Sequence, residues 1–262
     1  MKIVVALKQV PSRDSSLRVP AGAAWPSGTV WIDESDVTYE INKPDAYALE
    51  AALQLREQHG GEVIVVCAGP NGAASSVREA LAKGADRAIH IQEDDLHRAD
   101  TLGLATLLAA AIRAEGPDLV LTGLQSDDMG SGQTGVIVAE LLGLPSATII
   151  MAVEVLDGAI RVKRELEDGW FQHVTLPLPA VLTIQSGINK LRYATLMGIK
   201  KAKTKELRAV SASELGGVPA AQVRCEKVYL PGRAKQTQIL AGDAKTAAAA
   251  LADKLKFEVR VI

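Results

Sequence analysis

Six short runs rich in Val, Ile, Leu and Ala recur through roughly the first 185 residues, with helix-like stretches between them. The runs are 3–6, 63–67, 87–91, 119–122, 147–155 and 180–183. Most lack the alternation of a strand with one wet face, so they suit strands buried on both faces of a parallel sheet. The intervening stretches 44–59, 73–83, 100–115 and 135–142 carry apolar residues at helical spacing. Strands and helices in strict alternation predict a doubly wound α/β fold, a mostly parallel sheet flanked by helices, with ligands outside the carboxyl ends of the strands.

Two segments depart from this pattern. Residues 155–179, VLDGAIRVKRELEDGWFQHVTLPLP, alternate around a DG turn, which predicts an antiparallel hairpin on the sheet's edge. After Leu191 the chain turns basic, with the run KKAKTK, then irregular before an Ala-rich helix over 243–255. The chain of 262 residues has room for one large domain with an appendage. The predicted division is an α/β nucleotide-binding domain over 1–207 and an extended C-terminal arm over 208–262 that packs on another polypeptide.

Composition narrows the function classes. With 29 basic and 31 acidic residues the net charge is −2, which offers nucleic acid no electrostatic footprint. No apolar run approaches the roughly 18 residues of a membrane-spanning helix, and the N-terminal apolar run is too short for a secretory signal, so a cytoplasmic location without membrane insertion is expected. The two cysteines, Cys67 and Cys225, lack CxxC or CxH neighbours, so neither a disulfide framework nor a metal centre is expected. His59, His90, His97 and His173 lack paired spacing, which favours surface or helix-end roles over a metal site. No catalytic triad or carboxylate pair follows from spacing.

The stretch 119–143, LVLTGLQSDDMGSGQTGVIVAELLG, leads from a buried strand through a loop of Gly, Ser and Asp into a helix starting near Gln133 or Thr134. Small residues let backbone N–H groups approach an anion, and a helix N-terminus favours phosphate. Ser131 and Thr134 supply hydroxyl donors; alternatively, either simply caps the helix. The loop is not GxxxxGK[ST], and no GxGxxG follows the first strand, so neither a Walker loop nor the usual dinucleotide fingerprint is present.

Several segments in order resemble the beta subunit of electron-transfer flavoproteins: VVALKQVP, INKPDAYALEAALQLRE, VIVVCAGP, VREALAKGADRAI, PDLVLTGLQS, GQTGVIVAELLGLP, KRELEDG and LPAVLTIQSGINKLRYATLMGIKKAKTKEL. The last is the most specific, resembling the signature NxPRYATLxxIxxAKxK. The resemblance implies an adenine nucleotide alpha hydrolase-like fold and a heterodimer with an alpha subunit that holds most of a redox-active FAD. It further implies a structural AMP in this subunit and an electron-carrier role without catalytic residues of its own. The donor would be a flavoprotein dehydrogenase of the amine or acyl-CoA class, the amine-dehydrogenase branch being the more similar.

Carried across by motif, the AMP site would use Ala6, the run Asn42, Lys43, Pro44 and Asp45, then Cys67 and the loop from Gly123 to Gly135. That loop contributes Gln125, Met129 and Gly130, and Ser131, Gly132, Gln133 and Thr134 match the phosphate-gripping turn. Cys67 on its own reads as an inert buried thiol, and its place at a strand's carboxyl end is what suggests contact. The Asp127-Asp128-Met129 stretch departs from the acidic DDD run of many relatives, and Arg13 replaces an aromatic residue of some relatives. Docking to the dehydrogenase would use Leu196 as anchor, with Tyr193, Met197 and Ile199 beside it, and Glu165 would influence the large subunit's flavin domain. Alternatively, Leu196 and Ile199, three apart, pack a short helix onto the core. Two rival readings are a flavin-bifurcating member with a second FAD in place of AMP, and a stand-alone adenine-nucleotide sensor.

Overall fold

Along the first strand Ile3, Val5 and Leu7 join one buried cluster and Val4 joins another. A strand of this kind needs cover on both faces. In the computed structural model, which describes residues 1–15, 18, 35–223 and 237–261, it receives that cover. In chain order the elements are β1 (Lys2–Leu7), β2 (Gln9–Pro11), β3 (Tyr39–Ile41), α1 (Lys43–His59), β4 (Glu62–Gly69), α2 (Ala74–Lys83) and β5 (Arg87–Gln92). Next come α3 (Thr101–Glu115), β6 (Leu119–Gly123), α4 (Thr134–Leu142), β7 (Ser146–Leu156), β8 (Ala159–Glu165) and β9 (Phe171–Pro177). The last are β10 (Ala180–Ile184), α5 (Leu196–Ala202), β11 (Leu207–Ser211) and α6 (Ala244–Asp253).

The main sheet runs β11-β5-β4-β1-β6-β10-β7-β8-β9. Every pairing from β11 to β7 is parallel, while β8 and β9 add antiparallel. Helices α1 and α2 cover one face and α3 and α4 the other, each over its own apolar cluster. The doubly wound α/β class read from the alternation is therefore the class observed.

Both DG pairs turn. Asp157-Gly158 joins β7 to β8 and Asp168-Gly169 lies between β8 and β9, with Gly158 at φ 67 and Gly169 at φ 77. The expected hairpin is thus part of a three-stranded meander that starts within the apolar run 147–155. That run changes partner midway, from parallel β10 to antiparallel β8, across register shifts near Ile150. Ile149 stands there at φ 61, a conformation that β-branched residues rarely adopt.

The chain after Leu191 is more ordered than its composition suggested. It forms α5, packed with α2, and then β11, which completes the parallel edge of the sheet beside β5. Residues 208–211, assigned from sequence to the arm, lie in this strand, and the chain divides by its contacts into Met1–Val228 and Tyr229–Ile262. The second unit contains α6, capped by Asp243, whose side chain accepts from Thr246 N at 2.8 Å. Cys225 lies outside the described residues.

Candidate functional site

From β1 the chain moves to β4 and β5 on one side, then returns to place β6 on the other. The carboxyl ends of β1 and β6 therefore border a crevice where the winding reverses, the usual ligand position of such sheets. Asp45, on the first turn of α1, spans it. Its carboxylate accepts from Lys8 N at 2.8 Å and from Gly123 N at 3.0 Å. Burial pushes the Asp45 carboxyl up to about 7, and hydrogen bonds from Lys8, Asn42 and Gly123 only partly oppose that rise.

The glycines at the crevice are dictated by contact. A Cβ on Gly123 would collide with the Asp45 carboxylate and lie 2.7 Å from Pro44 Cβ. A Cβ on Gly135 would come within 2.5 Å of Thr122 Oγ1 and 2.6 Å of Thr183 Cγ2, so glycine lets the first turn of α4 sit on the ends of β6 and β10. Gly130 and Gly132 have φ of 64 and 62, and Gly132 is otherwise uncrowded. Sequence reasoning weighted Gly132, whereas Gly123 and Gly135 are the sterically strict positions.

Asn42, buried before α1, does not cap its own helix. Its side chain donates to Gln125 O at 3.0 Å and accepts from Asp127 N at 2.9 Å, tying the α1 entrance to the loop after β6. Further along, Gly130 N donates to Ser126 O at 2.9 Å. The loop's acids are matched by cations: Lys8 Nζ meets Asp128 at 2.7 Å and Arg13 Nη2 meets Asp127 at 2.9 Å. Burial would raise Asp128, but the Lys8 ammonium and the Ser126 and Met129 donors hold it below the usual range. Lys8 and Arg13 were given no role from sequence, and both pairings join residues more than a hundred apart.

Helix α4 starts after Gln133 with no side-chain cap among the described residues, which leaves its first-turn N–H groups without a capping hydrogen bond from Gln133. Neither Ser131 nor Thr134 serves as the cap. Ala6 and Cys67 stand at the carboxyl halves of β1 and β4 and are buried, whereas Lys43 and Met129 are exposed. Burial, and secondarily the Asp45 charge, pushes the Cys67 thiol up to about 12, which leaves it a neutral, unreactive group. His59 ends α1 and His173 is exposed on β9, as expected, but His90 is fully buried within β5, and that burial lowers its pKa. Its apolar neighbours in the run Arg87–Gln92 could have signalled as much. The His97 side chain lies outside the described residues.

A second cluster of sequence-predicted residues sits on and before α5. Thr195 caps this helix, accepting from Gly198 N at 3.0 Å. Tyr193 is 92% exposed, Leu196 82%, Met197 64% and Ile199 45%. The alternative in which Leu196 packs onto the core is thereby overturned; Ala202 alone of α5 is buried. Glu165, at the end of β8, accepts from Gln185 Nε2 at 3.1 Å.

Comparison with known proteins converges on one family. Residues 29–215 match the family model described as "Electron transfer flavoprotein domain". The electron transfer flavoprotein subunit beta of Methylophilus methylotrophus is 36% identical over 249 residues, covering 91% of this chain and 92% of that one. The counterpart in Bacillus subtilis (strain 168) is 32% identical over 266 residues, and the mitochondrial one of Oryza sativa subsp. japonica 35% over 265, each covering 100% of both chains.

Proposed function

The chain belongs to the electron transfer flavoprotein family, on the beta-subunit side, and from that premise we propose that it pairs with an alpha subunit to shuttle electrons from a flavoprotein dehydrogenase. The redox-active FAD is held mainly by the alpha subunit, and this chain holds an AMP in the crevice between β1 and β6. When bound, AMP supplies charge and hydrogen-bonding groups but no redox chemistry, and the flavin supplies the redox centre.

The observation that carries the AMP reading is the uncapped start of α4 seated against the sheet by Gly135. Backbone N–H groups of Gln133 to Gly135 and the Ser131 and Thr134 hydroxyls supply phosphate donors there, aided by the helix dipole. Asp127 and Asp128 would repel a phosphate if unpaired. Arg13 and Lys8 neutralise them, so the donor set fits an anion. Asp45 and Asn42 hold the walls of the crevice together without occupying its outer face. Tyr193, Leu196, Met197 and Ile199 form the docking surface, and Glu165 tunes the flavin-bearing domain of the alpha subunit. The arm packs on that subunit.

The test is an absorption spectrum and nucleotide analysis of the chain co-purified with its large subunit. One flavin and one AMP per pair is the expected result. Two flavins would reassign the crevice to a second FAD, and no flavin would overturn the electron-carrier reading.

A further inference from the structure

Arg192 immediately precedes the exposed docking set, yet its guanidinium is committed to α1. Its Nε donates to Glu50 Oε2 at 2.7 Å, Nη2 to Glu50 Oε1 at 3.0 Å, and Nη1 to Glu57 Oε1 at 2.7 Å. The Glu50 side chain is only 6% exposed. A carboxylate that far from water is tolerated when a two-pronged partner satisfies both oxygens. Close by, Asn189 Nδ2 donates to Tyr47 O at 3.1 Å, a second tie to the same helix.

The other end of the segment is fastened to α2. Arg78 Nη1 donates to Ala202 O at 2.7 Å and Lys205 O at 2.9 Å, and Gly198 has no room for a Cβ against Ala82 O. Between these mounts the backbone is held while Tyr193 and Leu196 stay exposed. A surface that is ordered before encounter does not lose that freedom on binding, and its affinity is higher for it.

We propose that Arg192 is a positioning residue for partner docking: through Glu50 and Glu57 it holds the Tyr193–Ile199 surface in its binding-ready form without itself touching the partner. The proposal rests on the docking role given to that surface above. A merely structural ion pair would affect stability and docking in step; a positioning residue separates them.

The test uses the intact heterodimer with its cofactors and the dehydrogenase that reduces the unsubstituted heterodimer. Arg192→Gln is expected to raise the KM for the heterodimer about tenfold at nearly unchanged kcat, the scale of a lost binding contribution. It is also expected to speed amide exchange over residues 193–202 by about tenfold or more, since fewer contacts then oppose local opening. Arg192→Lys should recover only part of both effects, because an ammonium cannot form the two-pronged contact. The double variant Arg192→Gln/Glu50→Gln leaves no unpaired buried charge, so its melting temperature should return toward the parent while KM stays high. If that double variant restores KM together with stability, or if exchange in Arg192→Gln is unchanged, the positioning role is wrong. Normal transfer by Leu196→Ala would instead remove the docking role of the surface, a failure distinct from that of the Arg192 mount.

Discussion

At the scale of single residues, Asp45 shows how a buried carboxyl ties strand ends together and titrates in doing so. Its pKa rises from 3.8 to about 7, so the folded state binds its proton more tightly than the unfolded chain. Stability from this group is full below pH 3.8 and falls as pH rises through about 7. Chemical denaturation of the nucleotide-free chain across that window should show the decline, and Asp45→Asn should flatten it. The same substitution should lower stability by about 1–3 kcal/mol, because an amide has one acceptor oxygen for the two backbone donors of Lys8 and Gly123. Glycines respond by position. Gly123→Ala drives a methyl into Asp45 and Pro44 and should cost about 2 kcal/mol or more in a thermal or denaturant melt. At Gly132→Val the Cβ meets only Leu124 O at 3.8 Å and the substitution bears mainly the left-handed φ, about 1–2 kcal/mol, so it should fold yet hold less AMP. The sequence marked the loop as glycine-rich but could not rank these positions. Gly123 is strict because of a residue 78 positions away, a relation that local spacing does not carry.

Elements were legible in proportion to length and periodicity. The long buried strands and α1 to α4 announced themselves, with ends displaced by a residue or two, because each repeats a period several times. Helix α5, seven residues long and ending among lysines, was legible only as the alternative that the Leu196–Ile199 spacing allowed; Thr195 and Gly198 are its capping signal. Strand β11, five residues on a sheet edge with none fully buried, is too short for Leu207, Ala209 and Val210 to repeat a strand period. The exposed side of α5 makes a clean test of docking. Leu196→Ala removes a side chain that supports no core, so the melting temperature should stay put while electron transfer from the dehydrogenase weakens several-fold or more. Stopped-flow reduction beside a thermal melt checks both halves, and normal transfer would remove the anchor role. Glu165→Ala, at the end of β8, should change electron-transfer rates with a stability change within about 0.5 kcal/mol, since its one described bond is to Gln185 near the surface. Unchanged kinetics would leave Glu165 as a surface acid only.

For the molecule as a whole, alternation alone was enough to reach a doubly wound sheet, because covering both faces of a parallel strand leaves few other arrangements. Which strands flank β1 was out of reach of periodicity, yet that order makes the crevice. A ligand seated there touches the start of α1, the end of β1 and the loop into α4, elements far apart in the chain. Bound to the folded state alone, it stabilises that state by mass action, by about 2.7 kcal/mol when its concentration is a hundredfold above Kd. For a chain of this size each kcal/mol moves the melting temperature by about 2–4 °C. Saturating AMP should therefore raise the melting temperature of the nucleotide-depleted chain by roughly 5–10 °C, measured by calorimetry. Adenosine at the same concentration should do much less if, as proposed, the uncapped α4 N-terminus, Ser131 and Thr134 hold the phosphate. Gly132→Val should lose most of the AMP effect while Leu196→Ala keeps it, since Leu196 is exposed on α5, which packs with α2. Equal stabilisation by adenosine and AMP would show that the phosphate is not held at α4 and would move the nucleotide site elsewhere.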